Sequence, residues 1–287
     1  MSIIRVILII SMMSSGLHAG LVQVGANYPQ TTISQGLEVS TPGDTLMVHS
    51  GTYRERALVV PHQLTLIGQN NPVIDGNFEG EILTVTADNV TIEGITFKGS
   101  GLSHLDENAA IRFEETQGGR VSNNIFEDNF FAVYISQSEK CLIENNIIKG
   151  QAKTESRSGN GIHLWYSKDV TIRGNYISGH RDGIYLEFVE QCVVTTNHST
   201  KNLRYGLHFM FSNHNEYNNN QFDMNGAGVA VMYSRHVDMH NNVFADNWGS
   251  SAYGLLLKDI YDSNISDNQF SRNTVGLYSE ACNRIQV

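Results

Sequence analysis

Eight times along the chain a small residue opens a short alternating stretch, and in the seven complete cases an asparagine follows fourteen positions later. The openers are Ala110, Ala132, Gly161, Gly183, Gly206, Gly228, Gly254 and Gly276. Their asparagines are Asn124, Asn146, Asn175, Asn197, Asn220, Asn242 and Asn268. The openers stand 22, 29, 22, 23, 22, 26 and 22 residues apart. Extra residues therefore enter only between repeats, as in the stretch Gln151 to Ser158. A constant internal offset with variable insertions marks stacked coils that each bury a face against the next.

The columns of that stack have the chemistry of an interior. One residue after each opener come Ile111, Val133, Ile162, Ile184, Leu207, Val229, Leu255 and Leu277, and Phe113, Ile135, Leu164, Leu186, Phe209 and Val231 lie two further on. Phe126, Ile148, Ile177, Phe222, Phe244 and Phe270 form a second apolar column sixteen after the openers. Apolar residues alternate with period two and nothing recurs at 3.6, so strands are expected and helices are not. The fold expected is all-β: a right-handed parallel β-helix of about 22-residue rungs. The asparagine column reads as structural, each amide taking a left-handed corner and bonding to the next along the axis.

Ahead of the repeats, Thr31 to Val39 reads as a short helix closed by Pro42-Gly43, as a cap for an open end of a solenoid. The expected division is a cap over 20–80 and regular rungs over 81–287, the last rung incomplete because its asparagine would fall beyond Val287. A C-terminal portion, or a partner covering that end, is expected to complete it. Residues 1–19 read as a signal peptide: Arg5, an apolar run from Val6 to Met13, then Leu17-His18-Ala19 as the cleavage site. Export is expected. The net charge of −10 argues against nucleic acid and anionic membranes. Three cysteines make no disulfide framework; Cys141 and Cys192 share a column two rungs apart, too far to bridge.

Two and four residues after each opener, side chains are expected to face solvent. On the middle four rungs these are His163 and Trp165, Tyr185 and Glu187, His208 and Met210, and Ala230 and Met232. Beside them runs an aromatic column, Tyr166, Phe188, Phe211 and Tyr233. Such a face on an acidic chain marks a binding surface, and three readings of it stand side by side. Carbohydrate chemistry (lyase, epimerase or plain sugar binding) would use Trp165, Tyr185 and an arginine such as Arg181 or Arg204. Hydrolysis would need paired carboxyl groups, and these rungs of the face offer only Glu187. A soft-metal site would use His208, Met210 and Met232, whose thioethers favour Cu(I) over zinc. A protein-docking surface would use the same residues as apolar contact area, with His163, Trp165, Tyr185 and Glu187 as its face.

Three stretches narrow these readings by likeness. Gly179-His180-Arg181-Asp182-Gly183-Ile184-Tyr185, Leu203 to Ser212, and Val231-Met232-Tyr233-Ser234 resemble the NosD family, periplasmic maturation factors of bacterial nitrous oxide reductase. Gly161 to Trp165 and Gly43 to Tyr53 also fit. The resemblance covers the chain beyond the signal peptide, and it is specific from about residue 160 to 235. It implies a non-enzymatic periplasmic subunit that sits on an ATP-binding-cassette transporter (NosF and NosY). It further implies work with the copper chaperone NosL in assembling the copper–sulfide centre of the apo-reductase. Under that resemblance the face with His208, Met210 and Met232 receives Cu(I), or the chaperone that carries it.

Overall fold

The computed structural model describes residues 19–103, 107–249 and 252–287. The expected signal peptide lies outside the described residues except for Ala19. Among the described residues the strands stack into three parallel sheets of 12, 10 and 10 strands, and each strand pairs with its equivalent one coil away. This is a parallel β-helix of about 11 turns, as the repeat requires. The rung around the middle of the chain shows the plan. Tyr205–Met210 lies in one sheet, Glu216–Asn218 in the second and Gln221–Asp223 in the third.

Register is set by the repeat. Leu207 pairs with Ile184 below and Val229 above, and Phe209 with Leu186 and Val231, so the predicted columns become continuous buried rows. All six of these side chains are fully buried. In the second column Phe222 stacks on Phe244 at 5.7 Å and Phe244 on Phe270 at 4.8 Å between ring centroids. An inward side chain on a parallel coil thus meets its like on each neighbour, at about the 4.8 Å strand spacing.

The cap is present. Ile33–Val39 is helical, with Thr32 and Gln35 forming a reciprocal capping box. It packs close enough that a Cβ on Gly36 would sit 2.6 Å from both Leu46 and Val24, so that position requires glycine. A strand that sequence reading missed, Leu21–Val24, precedes the helix and pairs with Thr45–Val48. The stack also passes residue 80 without a break, since Leu58–Val60 pairs in register with Leu83–Val85.

The asparagine ladder is where the structure differs from expectation. The left-handed residues are the ones just before it: Asn123, Asn145, Gly174, Thr196, Asn219, Asn241 and Asp267, all with φ between 54° and 64°. The corner turns there, which frees the ladder asparagine to point inward. Asn146 is typical. Its Nδ2 donates to the carbonyl of Val121 at 3.0 Å and to Oδ1 of Asn175 at 2.9 Å, and its own Oδ1 accepts from the backbone and side chain of Asn124. Buried corner groups are satisfied in this way along the axis.

A second buried ladder, five residues further on, was not anticipated. Its unbroken run is Asn202, Asn225, Asn247 and Asn273, with amide-to-amide bonds of 2.9 Å from Asn202 to Asn225 and 2.8 Å from Asn247 to Asn273. Its signal in the sequence is a constant spacing of five from the first ladder. Cys141 and Cys192 are free and buried, as their two-rung separation requires.

Candidate functional site

The sheet of opener strands carries the predicted face, and its register puts two rows side by side. One row runs Ser136, Trp165, Glu187, Met210, Met232 and Lys258. The other runs Tyr134, His163, Tyr185, His208, Ala230 and Leu256. On the middle rungs the predicted thioethers and histidines differ sharply in exposure. Trp165, Glu187, Met210 and Met232 are half-buried and reach solvent. His163 and His208 are only 4 % and 3 % exposed.

The histidines therefore depart from the solvent-facing position expected of them. The cause lies in residues just ahead of the openers. Tyr205 and Arg204 fold over the start of their strand, and the His208 ring packs 4.8 Å from Tyr205 and 4.9 Å from Tyr185. His163 packs against Phe131, Tyr134 and Tyr185 at 5.0, 4.6 and 4.9 Å. Aromatic packing of this kind outweighs the alternation rule, which fixes only the initial direction of the side chain.

Under the face lies a charged cluster. Asp182 is fully buried and accepts both guanidinium bonds of Arg204, one from Nε at 2.9 Å and one from Nη2. Arg181 Nε stands 3.9 Å and His208 Nδ1 3.7 Å from the same carboxylate, both too long for hydrogen bonds. Burial works against the charge of Asp182, but the bonds and positive charge of Arg204 win and hold its pKa down at about 2. Burial lowers His208, and it takes His163, with Arg181 opposing the charge as well, down to about 3. Both imidazoles are neutral at pH 7. Neither nitrogen of His208 has a hydrogen-bond partner among the described residues.

Glu187 is the carboxylate that remains open. Burial raises its pKa, and a hydrogen bond with Tyr185 pulls the other way. Tyr185 itself is pushed up to about 12 by burial and by the charge of Glu187. Among the described residues no three His, Cys, Asp or Glu side chains converge as a metal site. The soft donors that remain accessible are the thioethers of Met210 and Met232, adjacent in register. They suit a soft ion. His208, packed against Tyr185 and Tyr205, is not accessible beside them.

The expected aromatic column is an exposed stack. Tyr166 lies 4.6 Å from Phe188, Phe188 5.2 Å from Phe211, and Phe211 5.0 Å from Tyr233, with interplanar angles of 18°, 7° and 16°. All four hold a left-handed backbone, with φ of 45°, 53°, 51° and 52°. Bulky residues rarely adopt that conformation. Stacked face to face, the rings offer solvent their edges, flanked by Lys168, Glu190 and Arg235. Sugars bind aromatic faces; a row of edges beside two thioethers is closer to a protein-contact surface.

Residues 144–287 match the family model described as periplasmic copper-binding protein (NosD), and residues 65–177 match that of the right-handed β-helix region. Among curated proteins, a probable ABC transporter binding protein NosD of Pseudomonas aeruginosa is 30 % identical over 151 residues, covering 52 % of this chain and 35 % of that one. Its counterpart in Stutzerimonas stutzeri is 30 % identical over 114 residues, 39 % of this chain and 26 % of that one. The matches thus span about a third or less of the length of these relatives. Among solved structures, the alginate lyase of Paenibacillus sp. str. FPU-7 has a TM-score of 0.74 at 15 % identity, covering 92 % of this chain and 99 % of that one. The family 28 exopolygalacturonase of Yersinia enterocolitica has a TM-score of 0.72 at 11 % identity, covering 94 % and 78 %. At such identities the likeness is one of fold.

Proposed function

Because the chain belongs to the NosD family of periplasmic copper-binding proteins, we propose that it is a non-enzymatic accessory protein for copper–sulfide centre assembly in nitrous oxide reductase. In this reading it acts in the periplasm with the transporter subunits NosF and NosY and the copper chaperone NosL. The chaperone or the apo-reductase docks on the aromatic edge row, with Trp165, Tyr185 and Glu187 extending the contact. Cu(I) is cargo, held in passing by Met210 and Met232, with His208 as a third ligand once its ring has rotated out. His163 stays beneath the face and supports it.

The observation that carries this reading is the register pairing of Met210 with Met232 on adjacent rungs, both reaching solvent, inside the half of the chain that matches the family. Thioethers hold Cu(I) without presenting a thiol to an oxidising compartment. The polysaccharide-lyase alternative is weakened by the commitment of Arg204 to Asp182, which ties its Nε and Nη2 to a buried carboxylate and holds it as a charged ion-pair partner unsuited to act as a base.

The test is titration of the purified chain with Cu(I) under reducing conditions, in competition with a chromophoric chelator. One equivalent taken up by the wild type and lost on Met210→Ala with Met232→Ala supports the reading. In cells, the His208→Ala, Met210→Ala double variant is expected to leave the reductase without its copper. A fully metallated reductase in that strain would sink it.

A further inference from the structure

The second amide ladder has a gap. Asn129 occupies its column toward the N-terminus and Asn202 onward continues it, but the two coils between carry Gln151 and His180. Gln151 turns outward, its Nε2 donating to Asp128 at 3.2 Å, and begins the inserted stretch up to Ser158. His180 stays inside at 2 % exposure. Its backbone N–H donates to Asn202 Oδ1 at 3.0 Å, yet its Nε2 has no partner among the described residues. The ring lies against Gly150, where an added Cβ would come 3.0 Å from Nε2.

At this gap is a cavity of about 260 Å³. Phe78, Leu102 and Phe130 give it an apolar side, Lys153 and Arg157 come from the insertion, and Asp128 and His180 are among its polar lining. Among the described residues neither Lys153 nor Arg157 makes an ion pair or a side-chain hydrogen bond. By contrast, Arg112, Arg173, Arg204, Arg272 and Arg284 are paired with carboxylates and have no such freedom to meet an anion. The buried imidazole nitrogen without a partner among the described residues needs an explanation, and it lines the same cavity as two cations free to meet an anion.

We infer that this cavity binds a small hydroxylated carboxylic acid, about the size of a single sugar acid. Lys153 and Arg157 meet the carboxylate, Arg157 with a planar fork suited to it. Asp128, an acceptor when ionised, takes hydroxyl groups and repels a second anionic group. The Phe78 and Phe130 rings cover the CH face of the ligand, and the volume limits it to one small molecule. His180 is neutral, because burial lowers its pKa to about 4, and its free nitrogen supplies one further hydrogen bond. None of these residues belongs to the face of Met210 and Met232, so the inference stands apart from the copper reading.

Calorimetric titration of the purified chain with D-glucuronate, D-glucose and acetate tests it. Glucuronate is expected to bind at least tenfold more tightly than glucose, which lacks the charge, or acetate, which lacks the hydroxyls. The Lys153→Ala, Arg157→Ala double variant, altered only on the exposed insertion, is expected to lose at least tenfold in affinity at unchanged Tm. His180→Asn, which places a ladder amide in the gap, is expected to stay folded and also bind more weakly. No heat with glucuronate, equal affinity for glucose or acetate, or undiminished binding by the double variant would each overturn the inference.

Discussion

The His208 ring lies under that of Tyr185, 4.9 Å away between centroids, and both of its nitrogens lack hydrogen-bond partners among the described residues. Burial keeps this imidazole neutral and sealed from solvent. If it ligates copper, the order of effects on Cu(I) affinity should follow accessibility. Met210→Ala and Met232→Ala are each expected to cost at least tenfold. His208→Ala should cost less, because the gain from its ligation is reduced by the work of uncovering it. Competition titrations of the three single variants measure that order, and a larger loss for His208→Ala would mean that the ring is already turned out.

Buried neutral histidines make the fold sensitive to acid. His163 and His180 have folded pKa values of about 3 and about 4, below the ordinary 6.5. Between those values and 6.5 the unfolded chain binds protons that the folded chain does not, so stability falls as pH falls through that window. Asp182 acts lower down: its pKa of about 2 lies below the usual 3.8, so its contribution is present above 3.8 and is lost as pH drops toward 2. Denaturation midpoints at pH 7, 5.5 and 4.5 should decline, and His180→Asn should flatten part of that decline.

Removing the Asp182 carboxylate strands the guanidinium that it neutralises. Arg204 is 31 % exposed in its side chain, so solvent recovers part of the loss. Asp182→Asn is expected to cost about 2–3 kcal/mol, below the full penalty of a broken buried pair. Urea unfolding of this variant and of an Asp182→Asn, Arg204→Met double variant checks the assignment, since the double should recover much of the stability.

In the first asparagine ladder, Asn175→Ala deprives the Asn146 backbone and side-chain N–H groups and the Ile143 carbonyl of their partner. A destabilisation of about 1–3 kcal/mol is expected, the usual cost of unsatisfied buried polar groups. Chemical denaturation measures it directly.

The aromatic edge row should show the opposite profile. Phe211 is 43 % exposed and holds a φ of 51° that glycine adopts without strain. In Phe211→Gly the lost ring stacking is partly offset by relief of about 1–2 kcal/mol of backbone strain. Stability should therefore change by about 1 kcal/mol or less, while pull-down of the chaperone or the reductase weakens. Undiminished capture would remove the row from the docking surface.

The sequence by itself determined the solenoid. A constant fourteen-residue offset with insertions only between repeats admits one stacked solution, and parallel register then carries every column to its neighbour: Leu207 onto Val229, Met210 onto Met232, Phe188 onto Phe211. It also placed the helical cap, because a Pro-Gly pair that ends a helix is a local signal. What only the tertiary structure decided is which outward side chains meet solvent. His208 and Met210 look equivalent in an alternating strand, yet one is sealed and the other open. The difference comes from Tyr205, Arg204 and Tyr185, whose rings and charge come over His208 from before the opener and from the rung below. The same limit applies to the ladder. Sequence spacing located its asparagines, but not that the residue before each one turns the corner, because spacing along a chain carries no information about φ. Alternation fixes where a Cβ starts; packing among non-neighbours fixes where the side chain ends.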